Sequence, residues 1–313
     1  MRLQGLHHIT MITADAPENV TFDADVLGLR LVKKTVNFDQ PDAYHLYFGD
    51  ERGSPGSILT WFEFPGAARG HPGAGMIHRI ELGVGSEHAL AFWEERLRSR
   101  GFESVREESG LRFDDYDGLA FMLVVADHGD PPLRAEHPDV PPEHAILGIE
   151  AARAYTPASV VGTDEGLLTE QLGFTHLGDG AYRLDGEQRD FSWVYDPAPA
   201  GAGIPGAGTV HHIAWACKDE EHLAWQGLVR EAGRHVTEVL DRDYFRSIYF
   251  REPRHVLFEI ATLSPGFDVD ENPEHLGEQL RLPAQHEHLR ARLEQILTPI
   301  ENPRAPAGGE HAA

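Results

Sequence analysis

Cysteine is nearly missing from this chain: Cys217 is the only one in 313 residues. No internal disulfide can form, so packing and hydrogen bonds must hold the fold, and the composition fits a reducing compartment. Long hydrophobic runs are missing too. Nothing approaches the twenty or so apolar residues of a membrane span, and the amino terminus carries no signal-peptide core. Lysine occurs only at Lys33, Lys34 and Lys218, and 27 basic residues face 51 acidic ones. The net charge of −24 argues against binding to nucleic acid phosphates or anionic lipid. The expectation is a soluble, cytoplasmic protein with no nucleic acid and no membrane as partner. A dinucleotide site is also missing. "GAGIPG", residues 201–206, matches G-x-G-x-x-G, but a proline interrupts it and a strand-like run follows where the fingerprint needs a helix.

What the chain does have is repetition. Four strand-like openings each lead into a helical stretch ending near a glycine: His7 to Gly28, His78 to Gly101, Glu150 to Gly173, and His211 to Gly233. The glycine suits a left-handed helix C-cap. After each one, alternating or aromatic-rich runs such as "AYHLYFGD" and "SILTWFEF" read as three strands. The unit is strand, helix, three strands, four times over: an α+β chain of four βαβββ modules. Five prolines in "ADHGDPPLRAEHPDVPPEH" mark a linker. The expected divisions are a first two-module domain over 1–128, a linker over 129–143, a second two-module domain over 144–265, an extension over 266–302 with a helix around "HEHLRARLEQIL", and a disordered tail over 303–313.

Two openings stand out. "GLHHIT" at 5–10 and "TVHHIA" at 209–214 each carry adjacent histidines. In a regular strand successive side chains face opposite ways, so each pair should send one imidazole inward. The fourth copy ends in "HVLFEIAT", where Glu259 sits among apolar neighbours. Burying that carboxylate is costly unless a cation pairs with it or it is protonated. Two histidines and one carboxylate make the set that leaves coordination positions open on Fe(II).

"GLHHIT", "YHLYFGD", "VHHIAWA", "DRDYFRSIYFREP" and "LFEIATLSPGFDVDE" together resemble the ring-cleaving dioxygenases of the vicinal oxygen chelate superfamily, in particular the hydroquinone dioxygenase group. The resemblance runs from about residue 4 to about 283. It implies paired modules closing into vicinal oxygen chelate domains, and one Fe(II) held by His8, His212 and Glu259. It also implies supporting or substrate-facing roles for His7, His211, Thr10, Arg242 and Tyr249. The activity implied is insertion of O2 into a substituted hydroquinone or catechol, with no flavin or nicotinamide. One departure is "REPRHVLFEI", where Arg254 and His255 occupy a turn expected to carry glycine.

The third copy has Glu150 and Ala151 where the first has His7 and His8, so the ligand set should span copies one and four. A loop at Pro253–His255 would place Tyr249 opposite Glu259, beside the metal. A glyoxalase-like isomerase or lyase would need a fourth protein ligand; Thr60 or Trp61 stands near that position, and Glu63 is the serious candidate. A third reading is a non-catalytic binding protein for toxic aromatics. His45, His78, His144, His255, His275, His286 and His288 read as solvated or structural, and Trp61, Phe62 and Phe64 as core. The sequence leaves open a homo-oligomer and the ring substituents.

Overall fold

The computed structural model describes residues 1–126, 129–160, 166–187 and 189–303. The expected disordered tail lies, from residue 304 onward, outside the described residues. The first copy runs β1 (Gly5–Thr13), α1 (Ala16–Val20), β2 (Arg30–Val36), β3 (Tyr44–Gly49) and β4 (Ile58–Glu63). The second runs β5 (Ile77–Val84), α2 (Glu87–Ser99), β6 (Ser104–Glu107), β7 (Gly110–Asp114) and β8 (Ala120–Val125). The third supplies β9 (Ile149–Thr156), β10 (Thr175–Gly178), β11 (Ala181–Leu184) and β12 (Phe191–Pro197). The fourth supplies β13 (Thr209–Cys217), α3 (His222–Glu231), β14 (Leu240–Asp241), β15 (Arg246–Arg251) and β16 (Leu257–Thr262).

Local chemistry explains the helical stretches. The Asp15 side chain accepts from Glu18 N at 2.9 Å and starts α1; Ser86 caps α2 by accepting from Ala89 N at 3.1 Å. After α1 the chain widens into a π-helical turn, Thr21–Val26, where Leu27 N donates to Phe22 O. The third copy has a 3₁₀ turn, Ala158–Val160, and a second π-helical turn, Leu167–Gln171, which buries both Leu167 and Leu168. The four glycines that end these stretches have φ of 70°, 86°, 80° and 76°, the left-handed cap that the repeat predicts.

The modules pair across the expected halves. One eight-stranded sheet has the order β14-β15-β16-β13-β1-β4-β3-β2, joining copies four and one; the other has β10-β11-β12-β9-β5-β8-β7-β6, joining copies three and two. Each sheet therefore draws one module from 1–128 and one from 144–265. At both centres two first strands run antiparallel, β1 with β13 and β5 with β9, and each is flanked by its own module's last strand in parallel. Each sheet thus has an approximate two-fold through its middle. Trp93, Trp193, Trp215 and Trp225 are buried in the core.

The extension is tied down. Lys33 on β2 is fully buried; its ammonium donates to Asp270 at 2.6 Å and to Glu271, and lies 4.7 Å above the Tyr244 ring. Arg281 N donates to Lys34 O, so the extension covers the edge strand β2. The expected helix is present as a 3₁₀ turn, Ala284–Leu289, leading into α4 (Arg290–Ile296).

Candidate metal centre

The β1–β13 pairing is irregular at two places. Leu6 opposes Trp215 but His8 opposes Ala214, so His7 is an extra residue; Thr10 opposes His212 but Met11 opposes Val210, so His211 is another. Each first histidine is a β-bulge, related to the other by the sheet's two-fold. This corrects the premise of regular strands, because a bulge re-aims a side chain. Within each pair the rings meet: His7 Nδ1 lies 2.8 Å from His8 Nδ1, and His211 Nδ1 lies 2.7 Å from His212 Nδ1. The doublet is one unit, an inward imidazole whose far nitrogen is held by its neighbour. The other sheet repeats the bulges at His78 and Glu150 but has Arg79 and Ala151 at the inward positions. It has no imidazole pair there.

His8, His212 and Glu259 converge. His8 Nε2 and His212 Nε2 are 3.2 Å apart, and Glu259 Oε2 lies 3.4 Å from the first and 2.8 Å from the second. All three are buried. Neighbouring donors around an ion with bonds near 2.1 Å are separated by about 3 Å, so the triangle fits three adjacent positions of one coordination shell. With Nε2 inward, Nδ1–H of each candidate ligand donates to its partner histidine, which fixes the tautomer. Burial pushes the Glu259 carboxyl up, but His8 and His212 outweigh it and hold it well below the ordinary range. Burial lowers His212, with Glu259 opposing. His7, buried against His8, is pushed down to about 3 and stays neutral. A buried carboxylate beside two converging imidazole nitrogens is a donor set suited to a divalent cation.

Tyr249 opposes Glu259 across β15–β16, as the turn length predicts. Glu252 N donates to Val256 O, and His255 takes φ of 77°, so a histidine occupies the left-handed position expected of glycine. The Glu252 carboxylate stabilises that turn by accepting from Arg254 N and Val256 N at 2.9 and 2.8 Å. Arg242 Nε donates to Tyr249 Oη at 3.4 Å, and its guanidinium lies over the Phe38 and Tyr249 rings and pairs with Asp39.

The two-fold also shows what occupies the equivalent place in the first module. Glu259 pairs with Ala214 and Tyr249; Thr60 pairs with Thr10 and Tyr47 in the same register. Thr60 thus stands at the position of a second carboxylate. Glu63 lies elsewhere, accepting from Ala16 N at 3.0 Å. Among the described residues the metal-binding cluster is His8, His212 and Glu259 alone.

Above this triangle opens a cavity of 380 Å³ whose lining includes His8, His212, Tyr249, Arg242, Phe38 and Phe245. One expectation needs correction here. Phe62 and Phe64 line the cavity, whereas Trp61 is core, because alternation on β4 turns residue 62 away from residue 61. Of the two readings open for His45, solvated or structural, the second fits: it lines the cavity and is bonded on both ring nitrogens, Nε2 to Thr60 Oγ1 at 2.6 Å and Nδ1 to Tyr47 Oη at 2.9 Å. The available signal was its place two residues before Tyr47 on one strand face.

This fold and donor set define a class. Residues 5–128 match the model of the Glyoxalase/Bleomycin resistance protein/Dioxygenase superfamily. The chain belongs to that superfamily and, within it, to the ring-cleaving dioxygenase group. It is 42% identical to "Putative ring-cleaving dioxygenase MhqO" of Bacillus subtilis (strain 168), over 96% of this chain and 97% of that one. It is 31% identical to the chlorohydroquinone/hydroquinone 1,2-dioxygenase of Sphingobium indicum, over 96% and 97%. A solved "putative dioxygenase" structure from Bacillus subtilis subsp. subtilis str. 168 superposes with a TM-score of 0.87 at 40% identity, covering 96% of this chain and 98% of that one. Glyoxalase I from Zea mays shares the fold, with a TM-score of 0.58 at 14% identity over 82% of this chain and 92% of that one.

Proposed function

We propose that the protein is an Fe(II)-dependent dioxygenase that inserts O2 into a substituted hydroquinone or catechol. The observation that carries this reading is the three-donor triangle of His8, His212 and Glu259 beneath an aromatic-walled cavity, with Thr60 in place of a fourth ligand. Three protein donors leave positions for two reactants; a four-ligand isomerase site would leave fewer. Bound Fe(II) supplies a Lewis acid that favours the phenolate and a redox centre for electron transfer from ring to O2. Phe38, Phe62, Phe64 and Phe245 present faces and edges that receive a flat ring. Arg242 offers a fixed positive charge toward an anionic oxygen, and Tyr249 a phenol proton beside the metal ligand. The buried thiol of Cys217, its pKa pushed up to about 12 by burial, has no part in this chemistry and suits a cytoplasmic setting.

The test is an anaerobic iron titration followed by oxygen uptake with hydroquinones and catechols. One iron per chain and one O2 consumed per ring cleaved are expected, and His212→Ala should lose both. Full iron occupancy in His212→Ala overturns the assignment.

A further inference from the structure

Four side chains in the first module form a single line of hydrogen bonds that ends at the candidate metal centre. Tyr47 Oη lies 2.9 Å from His45 Nδ1, His45 Nε2 lies 2.6 Å from Thr60 Oγ1, Thr60 Oγ1 lies 3.1 Å from Thr10 Oγ1, and Thr10 Oγ1 lies 2.9 Å from His212 Nε2. All four residues are buried. Strand pairing fixes their order, since Tyr47 opposes Thr60 and Thr60 lies beside Thr10.

The direction of the line follows from its far end. A buried phenol must give its proton to an acceptor, and among the described residues the acceptor that Tyr47 meets is His45 Nδ1. His45 then carries its own proton on Nε2 and donates to Thr60. With its oxygen accepting from His45, Thr60 turns its proton to Thr10. The Thr10 hydroxyl is left as a donor aimed at the ligand nitrogen of His212. Once that nitrogen's lone pair is committed to an ion, the Thr10 proton needs another acceptor beside the same ion.

We propose that Tyr47, His45 and Thr60 are positioning residues that polarise the Thr10 hydroxyl in one direction, as a donor to an ionised phenolic oxygen entering from the cavity. This rests on the metal reading above and deepens it. It also gives a reason for Thr60 at the position two-fold related to Glu259. A carboxylate there would accept from His45 and Thr10, and the line would have no donor left for a substrate. His45 matches Ser247 in the fourth module, whose hydroxyl donates to Glu259. The same pair of positions thus serves an anionic ligand in one module and a neutral donor chain in the other.

The experiment compares wild type, Thr60→Val, Thr60→Ser and His45→Phe, each loaded anaerobically with Fe(II), counted for iron, and titrated with 4-nitrocatechol, whose absorption reports ionisation and hydrogen bonding of the bound phenol. Iron content should be equal in all four. Thr60→Val and His45→Phe should bind the probe about tenfold more weakly, as expected of a lost hydrogen bond to a charged group, with a shifted absorption maximum. Thr60→Ser should restore both. A Thr60→Val variant with wild-type affinity and spectrum overturns the proposal. So does one that loses its iron, since the hydroxyl would then serve the ligands rather than the bound anion. A wild type that holds no iron overturns the metal reading and this one with it.

Discussion

The two bulged histidines hold equivalent candidate ligands, His8 and His212, but sit in unequal surroundings, and metal affinity should register the difference. His7 is buried, its ring 4.8 Å from Phe245, with a backbone hydrogen bond to Thr262. His211 is exposed to the cavity. Replacing His7 by Leu leaves the Nδ1–H of His8 without an acceptor in a place closed to water. Stranding a buried donor costs about 1–3 kcal/mol. If that cost falls on the oriented, metal-binding form of His8, affinity drops by about 5- to 150-fold, at 1.4 kcal/mol per tenfold. Loss of an outer partner to a metal-bound histidine commonly costs 10–100-fold, in the same range. In His211→Leu, cavity water can accept from His212, so the loss should stay below about fivefold. His7→Asn, whose side-chain oxygen can accept, should recover part of the deficit. The assay is competition for Fe(II) or Co(II) against a chromophoric chelator at fixed pH, with circular dichroism to confirm the fold. Equal losses in the two Leu variants, or a larger loss in His211→Leu, would refute the argument from burial.

Tyr249→Phe should retain iron and substrate binding while kcat falls by about 10²–10⁴, the range for a lost general acid–base group; wild-type turnover would make Tyr249 a spectator. Lys33→Met leaves the buried Glu271 carboxylate only the more distant Arg281, 3.8 Å away, and should cost up to about 3 kcal/mol in urea unfolding, the low end for breaking a buried pair. Lys33→Met with Glu271→Leu should regain much of it, because an apolar pair needs no counter-charge. Asp115 is raised to about 7, chiefly by burial. The folded state then holds a proton that the unfolded state has lost between about pH 4 and 7, so its contribution to stability falls across that window by about 1.4 kcal/mol per pH unit. Asp115→Asn should flatten this decline in denaturation curves taken between pH 4 and 7, and an unchanged slope would disprove it.

Much of this was legible in the sequence because it repeats. The spacing to Gly28, Gly101, Gly173 and Gly233 carries both the modules and their caps. The doubled "HHI" carries the candidate ligand pair, and the length of the Pro253–His255 turn carries the register of Tyr249. What was illegible depends on partners distant in sequence. The bulges at His7 and His211 exist only relative to the opposite strand, so alternation could give one inward imidazole per pair but not the bulge that sets its neighbour's ring against it. His45 looked ordinary because Thr60, its partner, is fifteen residues away on another strand. Lys33 gave no sign that Asp270 and Glu271 would bury it. The assignment of Phe62 and Phe64 to the core failed because a cavity wall is as apolar as a core.

The pairing of the first module with the last sets a schedule for the newborn chain. When His8 leaves the ribosome, its companions His212 and Glu259 are still about 200 and 250 residues from being made. At 5–20 residues per second that interval is roughly 10 to 50 s. Throughout it, β1 has no β13 to pair with and exposes its central edge, while the second and third modules can already assemble between them. The finished inner pair can then act as a clamp that brings the first and fourth modules together. The three candidate donors can come together only once Glu259 has been made, so a product truncated before copy four would carry His8 alone and an open strand.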